Sequence, residues 1–415
     1  MKFLLTALLA LIFNFMQAQV IISEYSSSNL RDFEDNFGEH DDWIELHNAG
    51  NNDVNIGGWY LSDKESKPKK WAIPQGTIIE AGGYLLFWAS GRDVAVDGNF
   101  HTNFKFTQTN GDEFVILANA AGTIIDKTPV ELTALSHSRG RRAGQGLTWF
   151  IFTQPTPGYA NEGAWYKAYT PRPKIQTKAG FYDNAITTEV NGTAGFDLRY
   201  TLDGRNVSED DEIYTGSIEI DATSVLKVRH FSTDTLVLPG LMDFATFFIN
   251  EPETKLPVVS VASDEAITLA DGDRNLNPIS SFEYFDRNGE KKATSFGELD
   301  SHGQDSWIYP QRSLDWISRD EMGYNSGAKE KIFNYSDRDE YQRIILRASG
   351  DDNYPSVGDF DHEGSTHIRD EYVHTLVQKS DMHMDVRALE RCLVYLNCVY
   401  WGVYTLREKP DDHDY

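Results

Sequence analysis

The sequence predicts a multi-domain, mainly β protein that closes with a mixed α+β lobe. Short strand-like runs recur between turn residues over residues 19–130. Alternating runs follow in residues 169–250, and helical spacing is found in residues 366–380. Hydrophobic residues make up 40% and aromatic residues 13% of the 415 residues. This apolar content is sufficient for several packed cores and argues against disorder.

Residues 1–18 are expected to be a secretory signal peptide. Lys2 supplies the positive start, a mostly apolar run extends from Phe3 to Phe15, and Ala18 is the small residue at the expected cleavage point. A retained membrane anchor is the weaker interpretation, because the run is shorter than the roughly 20 residues of a spanning helix. We therefore expect a secreted or cell-surface protein without a membrane span.

The formal net charge of −26 argues against nucleic acid and anionic membrane surfaces as partners. It fits an exported protein that attracts divalent cations. The two cysteines, Cys392 and Cys398, lie six residues apart on one strand-turn element. Along an extended strand their Cα atoms would be about 20 Å apart, whereas a disulfide requires about 7 Å or less. Two unbridged thiols are expected, with Cys392 as a small core residue.

Residues 19–130 are predicted to form a β-sandwich. The predicted strands are residues 20–22, 43–46, 59–61, 84–88, 114–117 and 123–125. Alternation along residues 43–47 predicts one solvated and one buried face. We expect core and sheet packing, rather than carbohydrate stacking, for the tryptophans of this module, which are Trp43, Trp59, Trp71 and Trp88.

The order of these elements resembles the lamin-tail domain family. The matching positions are Glu24, residues 42–48, 58–63 and 71–74, Gly76, and residues 111–112 before Phe114. The resemblance implies an immunoglobulin-like β-sandwich that serves as an interaction or spacer unit and carries no catalytic residues. The partners that it implies are proteins or surface polymers.

Residues 131–168 are expected to be a connector whose arginines, in the segment 139–142, form internal ion pairs. Residues 169–250 are predicted to form a smaller β unit. Its runs are residues 197–202, 217–220 and 225–229, and Asp203-Gly204 predicts a hairpin turn. This unit resembles the small sandwich appended to chitobiases and other bacterial surface enzymes, where the module is accessory.

Residues 251–415 combine strands with one helix. The predicted strands are residues 256–261, 281–285, 313–317 and 343–347, followed by a hairpin over residues 393–407. The helix is predicted from the apolar positions Ile368, Tyr372, Leu376 and Val377. We expect the strands to surround this helix. Cys398 tolerates a left-handed turn poorly, so the turn Asn397-Cys398 is expected to be altered or strained.

This region resembles the spore-coat CotH family, which has an atypical protein-kinase-like fold. The matching motifs are residues 256–260, 282–286, 302–307, 310–313, 319–323, 345–351, 368–370, 396–397 and 400–408. They cover only the first part of the family's domain, so the lobe is expected to be truncated. For the intact protein the resemblance implies ATP and Mg²⁺ as cofactors and phosphate transfer to protein hydroxyls.

Arg312 and Glu408 are the candidate nucleotide-binding residues. Arg312 stands where the family has a lysine, and a guanidinium can hold an oxyanion with two hydrogen bonds. The alternative is a strand arginine paired with an acid. Glu408 matches a position near the cleft and could orient a phosphate-binding cation. Asp411 and Asp412 are the candidate metal ligands, with a solvated acidic face as the alternative.

No catalytic residue is assigned, because the family's catalytic aspartates lie beyond the hairpin. One hypothesis is therefore an inactive amino-terminal fragment of an exported CotH-type protein. The other is a complete, non-catalytic surface protein that binds through its β-sandwich modules. A glycoside hydrolase would need two carboxylates at a defined separation in one cleft, and the sequence shows no suitable catalytic domain.

Overall fold

The computed structural model describes residues 19–334, 336–353, 365–380, 382, 384 and 386–409. It is built mainly from β-sheets, which confirms the predicted class. The expected signal peptide, residues 1–18, lies outside the described residues. Within the part that is described, no helix combines the length and apolar character that crossing a membrane requires.

The first domain is a β-sandwich. Its strands are Val20–Ser26 (β1), Asp42–Asn48 (β2), Val54–Asn55 (β3), Tyr60–Ser62 (β4), Trp71–Ala72 (β5), Ile78–Ile79 (β6), Tyr84–Ala89 (β7), Val94–Val96 (β8), Asn99–His101 (β9), Phe114–Ala118 (β10), Ile124–Pro129 (β11), Ser138–Arg141 (β12), Trp149–Phe152 (β13) and Trp165–Tyr166 (β14). One sheet has the order β14-β13-β12-β1-β2-β7-β9-β8, and the other has the order β11-β10-β4-β5. Their facing apolar side chains, among them Ile44, Phe87 and Leu117, form one core. Trp43, Trp71 and Trp88 are buried, in agreement with a packing role.

Strands β12 to β14 come from the segment that was expected to be a connector. They extend the larger sheet because β12 pairs with β1 over Glu24↔Gly140. Two of the three arginines of this segment pair internally, as predicted. Arg139 pairs with Glu131 at 2.5 Å, and Arg141 pairs with Asp126.

The expected solvated face of β2 is wrong. Glu45 is fully buried, with Ser23 Oγ donating to Oε1 at 2.6 Å and the amide of Gly158 donating to Oε2 at 2.5 Å. Glu24 of the neighbouring strand is also buried and accepts from the hydroxyl of Ser138. The chain around Thr156 and Gly158 covers this face, since their amides donate to Glu24 and Glu45.

The second domain is smaller. Its strands are Ala168–Tyr169 (β15), Lys174–Ile175 (β16), Gly180–Tyr182 (β17), Ile186–Thr188 (β18), Val190–Asn191 (β19), Asp197–Thr201 (β20), Glu212–Ile213 (β21), Ile218–Ile220 (β22), Ser224–Phe231 (β23), Val237–Leu238 (β24) and Asp243–Ile249 (β25). Its main sheet has the order β17-β25-β23-β20-β21. The predicted hairpin forms, since β20 pairs with β21 in antiparallel orientation, but the loop that joins them spans residues 202–211 and is longer than the Asp203-Gly204 turn alone. The amide of Arg205 donates to Asp203 Oδ1 at 3.0 Å, which makes this a local turn inside a longer loop.

The third domain is a closed barrel. Its strands are Val258–Ala262 (β26), Ile279–Phe285 (β27), Lys291–His302 (β28), Ser313–Ser318 (β29), Ala328–Lys329 (β30), Glu340–Tyr341 (β31), Arg343–Arg347 (β32), Leu389–Leu396 (β33) and Val399–Glu408 (β34). The helices are Ala266–Ala270 (α1) and Arg369–Gln378 (α2), with 3-10 turns at Asp305–Ile308, Asp320–Met322 and Gly350–Asp352. The barrel order is β26-β27-β28-β29-β32-β34-β33, and parallel pairing of β33 with β26 closes it.

The barrel interior is filled by apolar side chains, and the expected arrangement of strands around one central helix is wrong. Trp316, Leu346 and Leu406 belong to the barrel core. Helix α2 forms where predicted but lies outside the barrel. Tyr372 in the expected apolar stripe is 64% exposed, whereas the acidic first turn of α2 faces the strands. The face of α2 that packs against the barrel is therefore the one whose acidic side chain pairs with arginines of the outer barrel surface.

The hairpin turn between β33 and β34 retains two-residue geometry despite Cys398. Asn397 and Cys398 have φ values of 43° and 70°. The amide of Val225 in the second domain donates to Cys398 Sγ at 3.1 Å. Asn397 accepts from the amide of Ser263 at 3.0 Å and donates to its carbonyl at 2.6 Å. These bonds to β23 and to the residue after β26 hold both turn residues in the left-handed region.

Replacing Asn397 with alanine is expected to lower the free energy of unfolding by about 2–3 kcal/mol. Two hydrogen bonds are lost, and alanine is unfavourable at this φ. Asn397→Asp should have an intermediate effect, because a carboxylate can accept from Ser263 but cannot donate to it. Thermal unfolding followed by circular dichroism measures both effects. An Asn397→Ala variant as stable as the wild type would contradict this role of the turn.

Candidate anion-binding site

Two arginines lie side by side on the outer face of the barrel. Arg347 ends β32 and Arg407 is near the end of β34, with the register Arg347↔Thr405 and Ile345↔Arg407. Successive strand residues point to opposite faces. Since Leu346 and Leu406 fill the barrel core, both guanidinium groups point outward on the same surface.

Helix α2 places an acid and a histidine over these arginines. Asp370 Oδ2 lies 2.8 Å from Arg347 Nε and 2.6 Å from Arg407 Nη1. One turn later, His374 Nε2 lies 2.6 Å from Arg407 Nη2, which donates the hydrogen bond. Residues i and i+4 of a helix share one face, so this pair faces the barrel together. Thr405 adds a hydroxyl that donates to Glu371.

The cluster holds more arginines than these two. Arg387 acts electrostatically on both His374 and Arg407, and Arg391 donates to the carbonyl of His367. Burial, followed by the charge of Arg407, lowers the pKa of His374 from its usual value of 6.5, so its ring is neutral at pH 7. We call Arg347, Arg387, Arg391 and Arg407 the arginine cluster.

This surface has the chemistry of an oxyanion site. The side chains of Arg347 and Arg407 remain 26% and 14% exposed, so an anion can reach them. Among the described residues, four guanidinium groups surround Asp370, Glu371 and Asp352, in a chain with a net charge of −26. Guanidinium groups match phosphate and carboxylate geometry with paired hydrogen bonds. The local excess of positive charge therefore favours an anionic ligand.

Arg312 lies elsewhere on the third domain. Its Nε donates to the carbonyl of Trp307 at 2.9 Å and its Nη1 to the carbonyl of Ala270 at 3.1 Å. The guanidinium also lies over the Trp307 ring, 5.7 Å from the centroid. These contacts use backbone carbonyls, which differs from the acid pairing considered as the alternative. The nucleotide role of Arg312 stays a prediction.

Glu408 is largely buried at the end of β34, and its Oε1 lies 3.1 Å from Arg338 Nη1. Arg312 lies beside Tyr404 of strand β34, since the hydroxyl of Tyr404 donates to the Arg312 carbonyl at 2.9 Å. The offset between Tyr404 and Glu408 is four strand residues, or about 13 Å. The structure thus does not bring Arg312 and Glu408 together. Asp411 and Asp412, the candidate metal ligands, lie outside the described residues.

Sequence reasoning did not select Arg347, Arg407, Asp370 or His374 as site residues. A signal was available in part, because Asp370 and His374 have i,i+4 spacing on the predicted helix. The two arginines are 60 residues apart in sequence, and only the pairing of β32 with β34 makes them neighbours.

Three protein-family models match successive parts of the chain. Residues 16–130 match the lamin tail domain, and residues 177–236 match the chitobiase/beta-hexosaminidase C-terminal domain. Residues 299–415 match the CotH kinase protein family. No curated protein matches the chain. These matches confirm the three resemblances, and the CotH-matched segment contains Arg312, Glu408 and the whole arginine cluster.

Proposed function

We propose that this chain is an exported, multi-domain surface protein of CotH type whose third domain binds the phosphates of ATP. The observation that carries the proposal is the arginine cluster on the outer barrel face, inside the segment that matches the CotH kinase family. Phosphoryl transfer relies on cations that hold and neutralise the phosphates. Arg347 and Arg407 are the residues that we assign to this contact.

The proposed reaction of a protein of this type is transfer of the γ-phosphoryl group of ATP to a protein hydroxyl. The bond between the γ-phosphorus and the ADP oxygen breaks, and a new bond forms to the hydroxyl oxygen, whose proton would pass to a carboxylate base. Mg²⁺ would neutralise charge on the phosphates. The described carboxylates near the cluster fit this ion poorly, because Asp370 is held by two arginines and Asp315 by Lys409 and His302. Asp411 and Asp412 remain the proposed metal ligands.

The two sandwiches are proposed to act as interaction units that bind proteins or surface polymers. Two observations support this proposal. Each sandwich matches a family model, and each sandwich contacts the third domain. Gln108 of the first domain donates through Nε2 to the carbonyls of Asp320 and Glu321, at 2.9 and 3.0 Å. Phe248 of the second domain packs edge-on against Phe285 of the barrel at 5.2 Å.

Nucleotide binding can be tested on the full chain with a fluorescent ATP analogue in the presence of Mg²⁺. Arg407→Gln is expected to weaken binding about tenfold or more, since a hydrogen bond to a charged group contributes about 1.5–3 kcal/mol. Arg205→Gln is the matched control, because Arg205 is an exposed arginine of the second domain that pairs with Asp203. Its affinity should equal that of the wild type.

Two results would contradict the proposal. One is a wild-type chain that does not bind the analogue at millimolar concentration. The other is an Arg407→Gln variant that binds it as tightly as the wild type. The first result would favour the non-catalytic surface protein that binds through its two sandwiches, and the second would exclude Arg407 from the nucleotide site.

A further inference from the structure

The loop between β1 and β2 brings two carboxylates against an imidazole at the edge of the first sandwich. Asp35 and Asp41 lie on this loop, and His101 ends β9. One ligand atom from each of the three residues lies within 4.8 Å of the others. Asp35 and His101 are buried, and Asp41 is partly buried. The three residues form a mixed oxygen and nitrogen donor set.

The hydrogen bonds of His101 make Nδ1 the unprotonated ring nitrogen, on the side of Asp35. Its Nε2 lies 2.8 Å from Asn36 Oδ1, an oxygen that only accepts, so Nε2 carries the proton. Nδ1 is therefore unprotonated; it accepts from the hydroxyl of Ser90 at 3.1 Å and lies 3.7 Å from Asp35 Oδ2. A metal-binding histidine is commonly oriented in this way by an acceptor on its other nitrogen.

One carboxylate oxygen of Asp35 faces His101 without a hydrogen-bond donor among the described residues. Its Oδ1 accepts from the amides of Phe37 and Glu39, at 2.7 and 2.9 Å. Its Oδ2 is buried and has no hydrogen-bond donor among the described residues. The nearest cationic nitrogen is Arg92 Nε at 3.8 Å, beyond hydrogen-bond distance. A buried carboxylate oxygen without a hydrogen-bond donor is unfavourable unless a cation lies close to it.

We propose that Asp35, Asp41 and His101 bind a divalent cation of the Zn²⁺ class and thereby fasten the β1–β2 loop to the sheet edge. Carboxylate oxygens with one imidazole nitrogen are ligands that Zn²⁺ accepts. Tetrahedral ligands lie about 3.4 Å apart, so the three side chains would move together by about 1 Å.

Two positively charged side chains now approach the carboxylates and would compete with the ion. Arg92 Nε lies 3.7 Å from Asp41, and Lys105 Nζ lies 3.6 Å from it. Lys105 is exposed and can turn into solvent. Arg92 is the stronger competitor, because it faces both Asp35 and Asp41.

Calorimetric titration of the full chain with Zn²⁺ tests the proposal. We expect Asp35→Asn and His101→Gln each to weaken binding more than about tenfold, which is the range seen even for residues one shell further from a metal. Arg92→Gln is expected to strengthen binding, and a gain of affinity cannot arise from misfolding. Asp112→Asn is the matched control, because Asp112 is 73% exposed in the same domain. It should bind as the wild type does.

Three results would overturn the proposal. The first is a wild-type chain that does not bind Zn²⁺ at millimolar concentration. The second is that the Asp35→Asn and His101→Gln variants bind Zn²⁺ as tightly as the wild type. The third is a chain that binds Ca²⁺ instead of Zn²⁺, with an affinity that His101→Gln does not change. Thermal unfolding of each variant without metal checks that the folds are comparable. Asparagine at position 35 keeps the Oδ1 acceptor, so we expect the Asp35→Asn variant to fold.

Discussion

Replacing Trp316 with alanine is expected to lower the free energy of unfolding of the third domain by about 3–5 kcal/mol. Trp316 is fully buried inside the barrel and stacks on Phe282 with ring centroids 4.4 Å apart. Alanine would leave a cavity between β27 and β29 that the closed barrel cannot fill by collapse. Native-state hydrogen exchange of peptides covering Ser313–Ser318 and Arg343–Arg347 measures the loss in this domain alone.

Ile308→Ala is the matched control for this cavity. Ile308 belongs to the same domain, but its side chain is 55% exposed, so its removal should change stability by no more than about 0.5 kcal/mol. A Trp316→Ala variant whose hydrogen exchange matches that of this control would contradict a packed barrel interior.

The first sandwich is expected to lose stability as the pH rises from 6 to 9. Burial raises the pKa of Glu24 to about 8 and that of Glu45 to about 7, and the two carboxyl groups also repel each other at Glu24. In the unfolded chain both groups are ionised above about pH 4.5. Between pH 4.5 and pH 7–8 the folded state therefore binds more protons than the unfolded state.

The sign of the effect follows from this difference in bound protons. Stability decreases with rising pH in that window, by up to about 1.4 kcal/mol per pH unit for each group, and levels off above about pH 8. Glu24→Gln keeps an acceptor for Ser138 but removes one group that titrates. The free energy of unfolding of this variant should therefore change less with pH than that of the wild type, and it should be higher than that of the wild type above pH 8. Glu65→Gln, at an exposed position of the same domain, should follow the wild type.

Urea unfolding at several pH values, followed by hydrogen exchange of peptides from β1 and β2, gives the profile. Stability of the first sandwich that increases from pH 6 to pH 9 would contradict the buried neutral carboxyl groups. A Glu24→Gln profile with the wild-type slope would contradict the assignment to Glu24.

Local patterns predicted the elements well where packing and sequence agree. The strand Arg343–Arg347 was predicted with the bounds that the structure shows, and α2 forms within the predicted residues 366–380. Barrel closure could not be predicted, because it depends on β33 pairing with β26 across 135 residues of sequence. The apolar stripe of α2 misled the placement of the helix, since ion pairs of Asp370 with two strand arginines outweigh it.

The candidate sites show the same limit of local patterns. Arg312 was selected from a motif position, and the structure shows it held by backbone carbonyls. The arginine cluster and the Asp35, Asp41 and His101 site each combine residues from separate segments. Their chemistry depends on which strands are neighbours, and that information is absent from the spacing of the residues.

Hydrogen exchange of the full chain with and without ATP and Mg²⁺ tests the central claim most directly. If the arginine cluster holds the phosphates, the nucleotide should slow exchange in peptides from β32, α2 and the end of β34, and Arg407→Gln should remove that protection. Protection confined to the two sandwiches, or no protection anywhere, would contradict ATP binding at the third domain.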